Sequence, residues 1–122
     1  MDGDIAPLPK IVDLAKKYNA FTFVDECHAT GVLGRHGGGT PELFDVEGQI
    51  DVISSTLGKA LGGGTGGYTA GSKEVVGLLR QKGRPYLFSN SITPATVGAS
   101  LEVMKMLEES SELLDSLKAN TA

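Results

Sequence analysis

The chain has 122 residues, a formal charge of −4 and a pI near 5.1. That length suits one domain of the usual ~100–150 residues, and the acidic balance argues against a nucleic-acid partner, which needs a basic face. No apolar run approaches the ~20 residues that span a membrane, and the single cysteine, Cys27, excludes an internal disulfide.

The opening Met1-Asp2-Gly3-Asp4 is acidic where a signal peptide would be basic. A cleaved targeting segment would leave no trace. Pro7-Leu8-Pro9 then leads into apolar residues at Ile11, Val12, Leu14, Ala15 and Tyr18. This spacing predicts a helix closed near Asn19. Ala20 to Val24 is β-rich and reads as a buried strand ending at Asp25. Residues 26 to 41 carry many glycines and predict a long loop, with a short helix after Pro41.

Asp51 to Ser55 predicts a second strand, which feeds directly into Thr56-Leu57-Gly58-Lys59 and a glycine run. Tyr68-Thr69-Ala70 predicts a third strand. Ser72 fits an N-cap for a helix running to about Gln81. Tyr86-Leu87-Phe88 reads as a further short strand. Pro94 opens another helix, and an amphipathic segment spans Ser110 to about Ala119. Helices alternating with short apolar strands indicate an α/β fold with a mostly parallel sheet flanked by helices. In such sheets ligands sit at the carboxyl ends of strands, where Asp25 and the Thr56–Lys59 segment both fall.

Lys59 lies in a tight loop of small residues after an apolar strand. A lysine amine there can form a Schiff base with an aldehyde such as pyridoxal phosphate (PLP); the alternative is a solvated loop lysine. A P-loop is excluded: Ile53 stands where the first glycine belongs, and Ala60 replaces the required Ser or Thr. Gly62, Gly64 and Gly67 spell a literal G-x-G-x-x-G, but the run leads into a strand rather than opening a helix. Asp25 can pair with a cationic ring nitrogen or cap the loop that follows. His28 can bond a phenolic oxygen or serve as an ordinary loop histidine. Ser89 and Asn90 can donate to a phosphate or belong to a turn before Pro94. Cys27, His28 and His36 lack the spacing of a metal site.

Three segments in order carry a family likeness: Asp25-Glu26-Cys27-His28-Ala29-Thr30-Gly31, Ser55-Thr56-Leu57-Gly58-Lys59-Ala60-Leu61-Gly62-Gly63, and Arg84-Pro85-Tyr86-Leu87-Phe88-Ser89-Asn90-Ser91. Together they resemble the α-oxoamine synthases, fold-type I PLP enzymes, and most of all those that join glycine to acetyl-CoA. The resemblance implies PLP as cofactor, with Lys59 holding it covalently and later taking the α-proton of glycine. It implies that Asp25 pairs with the ring nitrogen, His28 with the phenolic oxygen and Thr56 with the phosphate. Ser89 and Asn90 would reach the phosphate of a neighbouring subunit, since the family is dimeric. The product would be 2-amino-3-ketobutyrate, with CoA released.

Other members of the family, of the 5-aminolevulinate, 8-amino-7-oxononanoate and serine palmitoyl types, share this lysine chemistry. A non-catalytic α/β fragment is the reading from a different class. The family's Gly-Arg-Gly after the histidine loop is altered, with Gly38 at the arginine position. Family chains are about three times as long, so residues 1–122 are expected to be part of the large PLP-binding domain. The ring-stacking histidine would lie before Met1, and the substrate-binding arginine and small domain beyond Ala122. Such a chain alone is expected to be poorly soluble or partly unfolded and without turnover. The compartment would be the mitochondrial matrix in a eukaryote and the cytoplasm in a bacterium.

Overall fold

The computed structural model describes residues 2–121. Nine elements run in order: α1 (Leu8–Tyr18), β1 (Phe23–Asp25), α2 (Thr40–Leu43), β2 (Val52–Thr56), β3 (Gly67–Gly71), α3 (Lys73–Lys82), α4 (Arg84–Phe88), α5 (Pro94–Glu109) and α6 (Glu112–Thr121). The three strands form one sheet in the order β1-β2-β3. β1 and β2 are parallel, with Asp25 opposite Ser54. β2 and β3 are antiparallel, with Thr56 opposite Gly67. The expected α/β class is found, but the sheet is mixed within the described residues. The Leu57–Gly66 connection is too short for a parallel crossover, which takes about a dozen residues or more, so β3 must fold straight back.

Local chemistry explains the helices. α1 begins beside Pro7 and ends at Asn19, whose left-handed φ of 49° turns the chain while its N–H bonds the last carbonyls. The Ser72 hydroxyl caps α3 by accepting the Val75 N–H at 3.3 Å. Thr93 does the same for α5, accepting the Thr96 N–H at 3.4 Å.

Two expectations are corrected. Tyr86-Leu87-Phe88 is helical, not a strand. Pro85 sits in the first turn of α4, and the Leu87 N–H reaches the Gly83 carbonyl at 3.0 Å. A short apolar run fits either structure by pattern alone; the proline, with its fixed φ, tips this one toward a helical turn. The segment from Ala20 to Val24 is not a buried strand. Only Phe23–Asp25 is extended in the sheet, and Phe21 and Phe23 are 65% and 64% exposed. β1 is an edge strand, and Phe21 and Phe23 line an open groove of about 570 Å³ with Ile11, Leu14 and Tyr18 of α1.

The core is small. Leu8 and Val12 of α1 pack on Val46, with Val24, Phe44 and Ile50 around them. Leu57, Leu61 and Leu114 are also buried, while Tyr18, Leu78, Tyr86, Phe88, Leu101 and Leu113 face solvent. Patches of this kind mark surfaces that meet other protein.

The β1–β2 pairing is fastened at its entrance by Asp51. Its carboxylate accepts the Thr22 N–H at 2.7 Å and the Thr22 hydroxyl at 2.6 Å. The Thr22 hydroxyl oxygen in turn accepts the Asp51 N–H at 2.8 Å. The bonds from the Thr22 hydroxyl and N–H hold the Asp51 pKa below the ordinary aspartate value. A lowered folded pKa contributes stability that is whole above about pH 4 and is lost as pH falls through the folded value. Amide exchange at Thr22, corrected for its intrinsic rate, should therefore accelerate on acidification below that point. Asp51→Asn should remove most of this acid dependence.

Candidate active site

Parallel pairing sends the ends of β1 and β2 to the same edge of the sheet. Asp25 closes β1, and Thr56 closes β2 just before the Lys59 loop. The Glu26 N–H continues the ladder to the Ser54 carbonyl at 2.8 Å. The chain then coils back: the N–H groups of Ala29 and Thr30 both reach the Glu26 carbonyl, at 3.0 and 2.9 Å. This turn carries Cys27 and His28. Among the described residues, Asp25, His28 and Lys59 are thereby gathered at one edge, all three exposed.

Asp25 is the electrostatic centre of this group. The Cys27 thiol and N–H donate to its carboxylate, the N–H at 2.9 Å, and these bonds hold its pKa low; the charges of Lys59 and His28 pull the same way. Asp25 is thus ionised at neutral pH, and a carboxylate has about four acceptor positions, so it can hold a further N–H donor. The same hydrogen bond to Asp25 pushes the Cys27 thiol pKa up. Cys27 therefore stays protonated, which suits a partner of Asp25 and not a nucleophile. Lys59 takes part in no salt bridge among the described residues.

Thr56 is already engaged. Its hydroxyl donates to the Gly66 carbonyl at 3.0 Å and accepts the Gly58 N–H at 3.1 Å. A phosphate taking that proton would have to displace the Gly66 carbonyl. Ser89 is the C-cap of α4, and Ser89 and Asn90 are exposed. The same segment leans on the Lys59 loop through Ile92, since a Cβ on Gly66 would come within 2.9 Å of Ile92 Cδ1.

The glycine run is explained by positive φ at Gly62 and Gly64 and by close packing at Gly63 and Gly67. A Cβ on Gly63 would lie 2.7 Å from the Leu57 carbonyl oxygen and 3.0 Å from Ser100 Oγ of α5. The Gly63 N–H bonds that same carbonyl at 2.6 Å. Only glycine lets the loop after Lys59 close on itself beneath α5. This reading, and not a dinucleotide fingerprint, accounts for the run.

Two residues that support the site carry no motif in the sequence. Glu26 is 2% exposed, and its carboxyl accepts the Thr40 N–H at 2.6 Å. Its Oε2 occupies the space that a Cβ on Gly39 would need. Glu26 therefore ties the start of α2 to the end of β1. Glu42 holds the glycine loop from the other side. It accepts the N–H groups of His36 and Gly38, at 3.0 and 2.8 Å, and the His36 ring at 2.6 Å. Burial alone would raise the Glu42 pKa, but these donors outweigh it and the net shift is downward. Gly38 lies under the Glu42 carboxylate, where a Cβ would meet Oε2 at 2.9 Å; a larger side chain at that position would have to displace it.

The sequence profile of the aminotransferase class I and II family matches residues 1–122, and the chain belongs to that family. Its relatives narrow the field. The mitochondrial 2-amino-3-ketobutyrate coenzyme A ligase of Mus musculus is 57% identical over 99% of this chain and 29% of its own length. The enzyme of that name from Escherichia coli is 58% identical over 98% of this chain and 30% of its own. A serine palmitoyltransferase from S. paucimobilis, solved with PLP and myriocin bound, superposes with a TM-score of 0.90 at 35% identity, over 98% of this chain and 31% of that one. The chain spans about a third of the length of these proteins.

Two substitutions test the supports. Glu26→Ala orphans the buried Thr40 N–H and should cost about 2–3 kcal/mol, read from chemical denaturation of the complete protein. Gly63→Ala should cost about 1–3 kcal/mol by overpacking and should raise amide exchange through Lys59–Gly63.

Proposed function

We propose that this chain is part of the large domain of a PLP-dependent acyltransferase that joins glycine to acetyl-CoA, forming 2-amino-3-ketobutyrate and CoA. One observation carries the reading: a carboxylate held ionised, a histidine and an unpaired lysine meet at one sheet edge, in a chain 57–58% identical to proteins named for that reaction. Serine palmitoyltransferase is more distant, at 35% identity, so a palmitoyl-type substrate is the weaker choice; a protein named 8-amino-7-oxononanoate synthase, at 53%, makes that type the second reading.

The donor set fits PLP. Lys59 would hold its aldehyde carbon through the amine. Asp25 would accept the ring N–H, His28 would meet the phenolic oxygen, and Thr56 would contact the phosphate. Ser89 and Asn90 would serve a neighbouring subunit's phosphate, which makes a homodimer the proposed assembly. When bound, PLP supplies an electron sink for charge developing at the glycine α-carbon. Asp25, kept anionic by its hydrogen bonds from Cys27, would stabilise the proton on the ring nitrogen. Once the glycine amine has displaced it from the aldehyde carbon, the freed Lys59 amine would take the α-proton as the general base. The Gly58–Gly66 loop, braced by Ser100 and Ile92, fixes the height of Lys59 above the sheet edge.

Further chain on either side would cover the groove along Phe21 and Phe23 and would supply the remaining substrate contacts. The same likenesses support the mitochondrial matrix as the compartment in a eukaryote and the cytoplasm in a bacterium.

In the complete enzyme, bound PLP should give an absorbance band displaced from that of free PLP, Lys59→Ala should abolish this displaced band, and borohydride should fix the cofactor on the Lys59 peptide. The displaced band persisting without Lys59 would sink the reading. Residues 1–122 alone should release no CoA from acetyl-CoA and should lack a cooperative thermal transition.

A further inference from the structure

We propose that Thr30 and Ser55 are positioning residues, whose hydroxyl–hydroxyl bond sets where Asp25 and His28 stand relative to Lys59. The inference rests on the PLP reading above and adds to it two residues that touch neither cofactor nor substrate.

Ser55 lies in β2, one residue before Thr56, and is buried. Side chains alternate along a strand, so Ser55 points away from the face that carries Thr56. Its hydroxyl donates to Thr30 Oγ1 at 2.8 Å, with the Glu26 carbonyl at 3.3 Å as a second acceptor. Thr30 ends the turn that begins at Glu26 and carries Cys27 and His28. The next residue, Gly31, packs on the loop after Lys59: a Cβ there would come 3.1 Å from Ala60 Cβ and 3.4 Å from Leu61 Cδ2.

The bond therefore sits at the pivot between the two halves of the site. On one side hangs the Asp25–His28 turn, and on the other the Thr56–Lys59 loop. Among the described residues, two further hydrogen bonds join this turn to β2, the Glu26 N–H to the Ser54 carbonyl and the Ser55 hydroxyl to the Glu26 carbonyl. Both hold the start of the turn, at Glu26. The bond to Thr30 ties down its far end. Deleting one hydroxyl leaves the other, buried on Ser55 or half-buried on Thr30, without its partner, whereas deleting both relieves that penalty.

The test uses the complete enzyme with pyridoxal phosphate as the probe. Thr30→Val and Ser55→Ala should each weaken PLP binding by about five-fold and should shift the pH midpoint of the lysine-dependent absorbance band. Thr30→Ser, which keeps the hydroxyl, should restore both. The double variant should be no worse than the worse single, because the two act as one unit. Thermal unfolding of the PLP-free protein reports any general loss of stability. Unchanged affinity and pH midpoint in both single variants would overturn the proposal. So would a Thr30→Ser variant as impaired as Thr30→Val, since that outcome makes the position one of packing only. A wild-type protein with no Lys59-dependent band would instead sink the PLP reading, and this inference with it.

Discussion

The parallel pairing of β1 and β2 is the constraint on which the rest depends. It is short, with three residues of β1 in register against β2, yet it decides which side chains can meet. Asp25 and Lys59 are far apart in sequence and share no local structure. They come to one edge only because both strands run in the same direction, with Asp25 opposite Ser54, two residues before the end of β2. The Thr22–Asp51 bonds fix the entrance of the pairing, and the Glu26 N–H to the Ser54 carbonyl fixes its exit. A slip of one residue would carry Asp25 to the opposite face, so these fasteners secure the register as well as the stability.

The legible parts of the sequence were those governed by local rules. Asn19, Ser72 and Pro94 mark helix ends whose geometry needs particular residues, and the structure uses all three at helix boundaries. The strand at Val52–Thr56 was visible because it is central and carries the apolar content of a central strand. The misreadings arose where tertiary context decides. Phe21 and Phe23 have the composition of a buried strand, but burial depends on what lies against them, and here that is an open groove. Tyr86–Phe88 gave no period to count, and Pro85 outweighed its aromatic residues. The direction of β3 follows from loop length, a signal that the alternation of helices and strands does not carry.

The candidate site divides in the same way. Asp25, His28 and Lys59 stood out because their residue types carry chemistry and each lies in a recognisable segment. Glu26 and Glu42 did not, because a carboxyl that binds backbone N–H groups has no required spacing. Their clue was indirect: glycines at 34, 38 and 39 crowd against these two carboxyl groups. A cluster of glycines opposite acidic residues can thus mark a backbone held closely by carboxylates as readily as a loop that cradles an anion.

That distinction bears on how the loop after Lys59 works. The loop is tied at both ends. The Gly62 and Gly63 N–H groups turn inward to the Lys59 and Leu57 carbonyls, and the Gly66 carbonyl is shared by the Leu57 N–H and the Thr56 hydroxyl. The loop is a closed knot, and its stiffness is spent on one exposed amine. A lysine has four rotatable bonds and would otherwise sweep a wide volume. Rigid backbone at its root, with an ionised Asp25 nearby, narrows that sweep toward a single region at the sheet edge. The arrangement turns an ordinary surface cation into a directed one. It does so with hydrogen bonds and close backbone contacts, and without any need to bury the lysine.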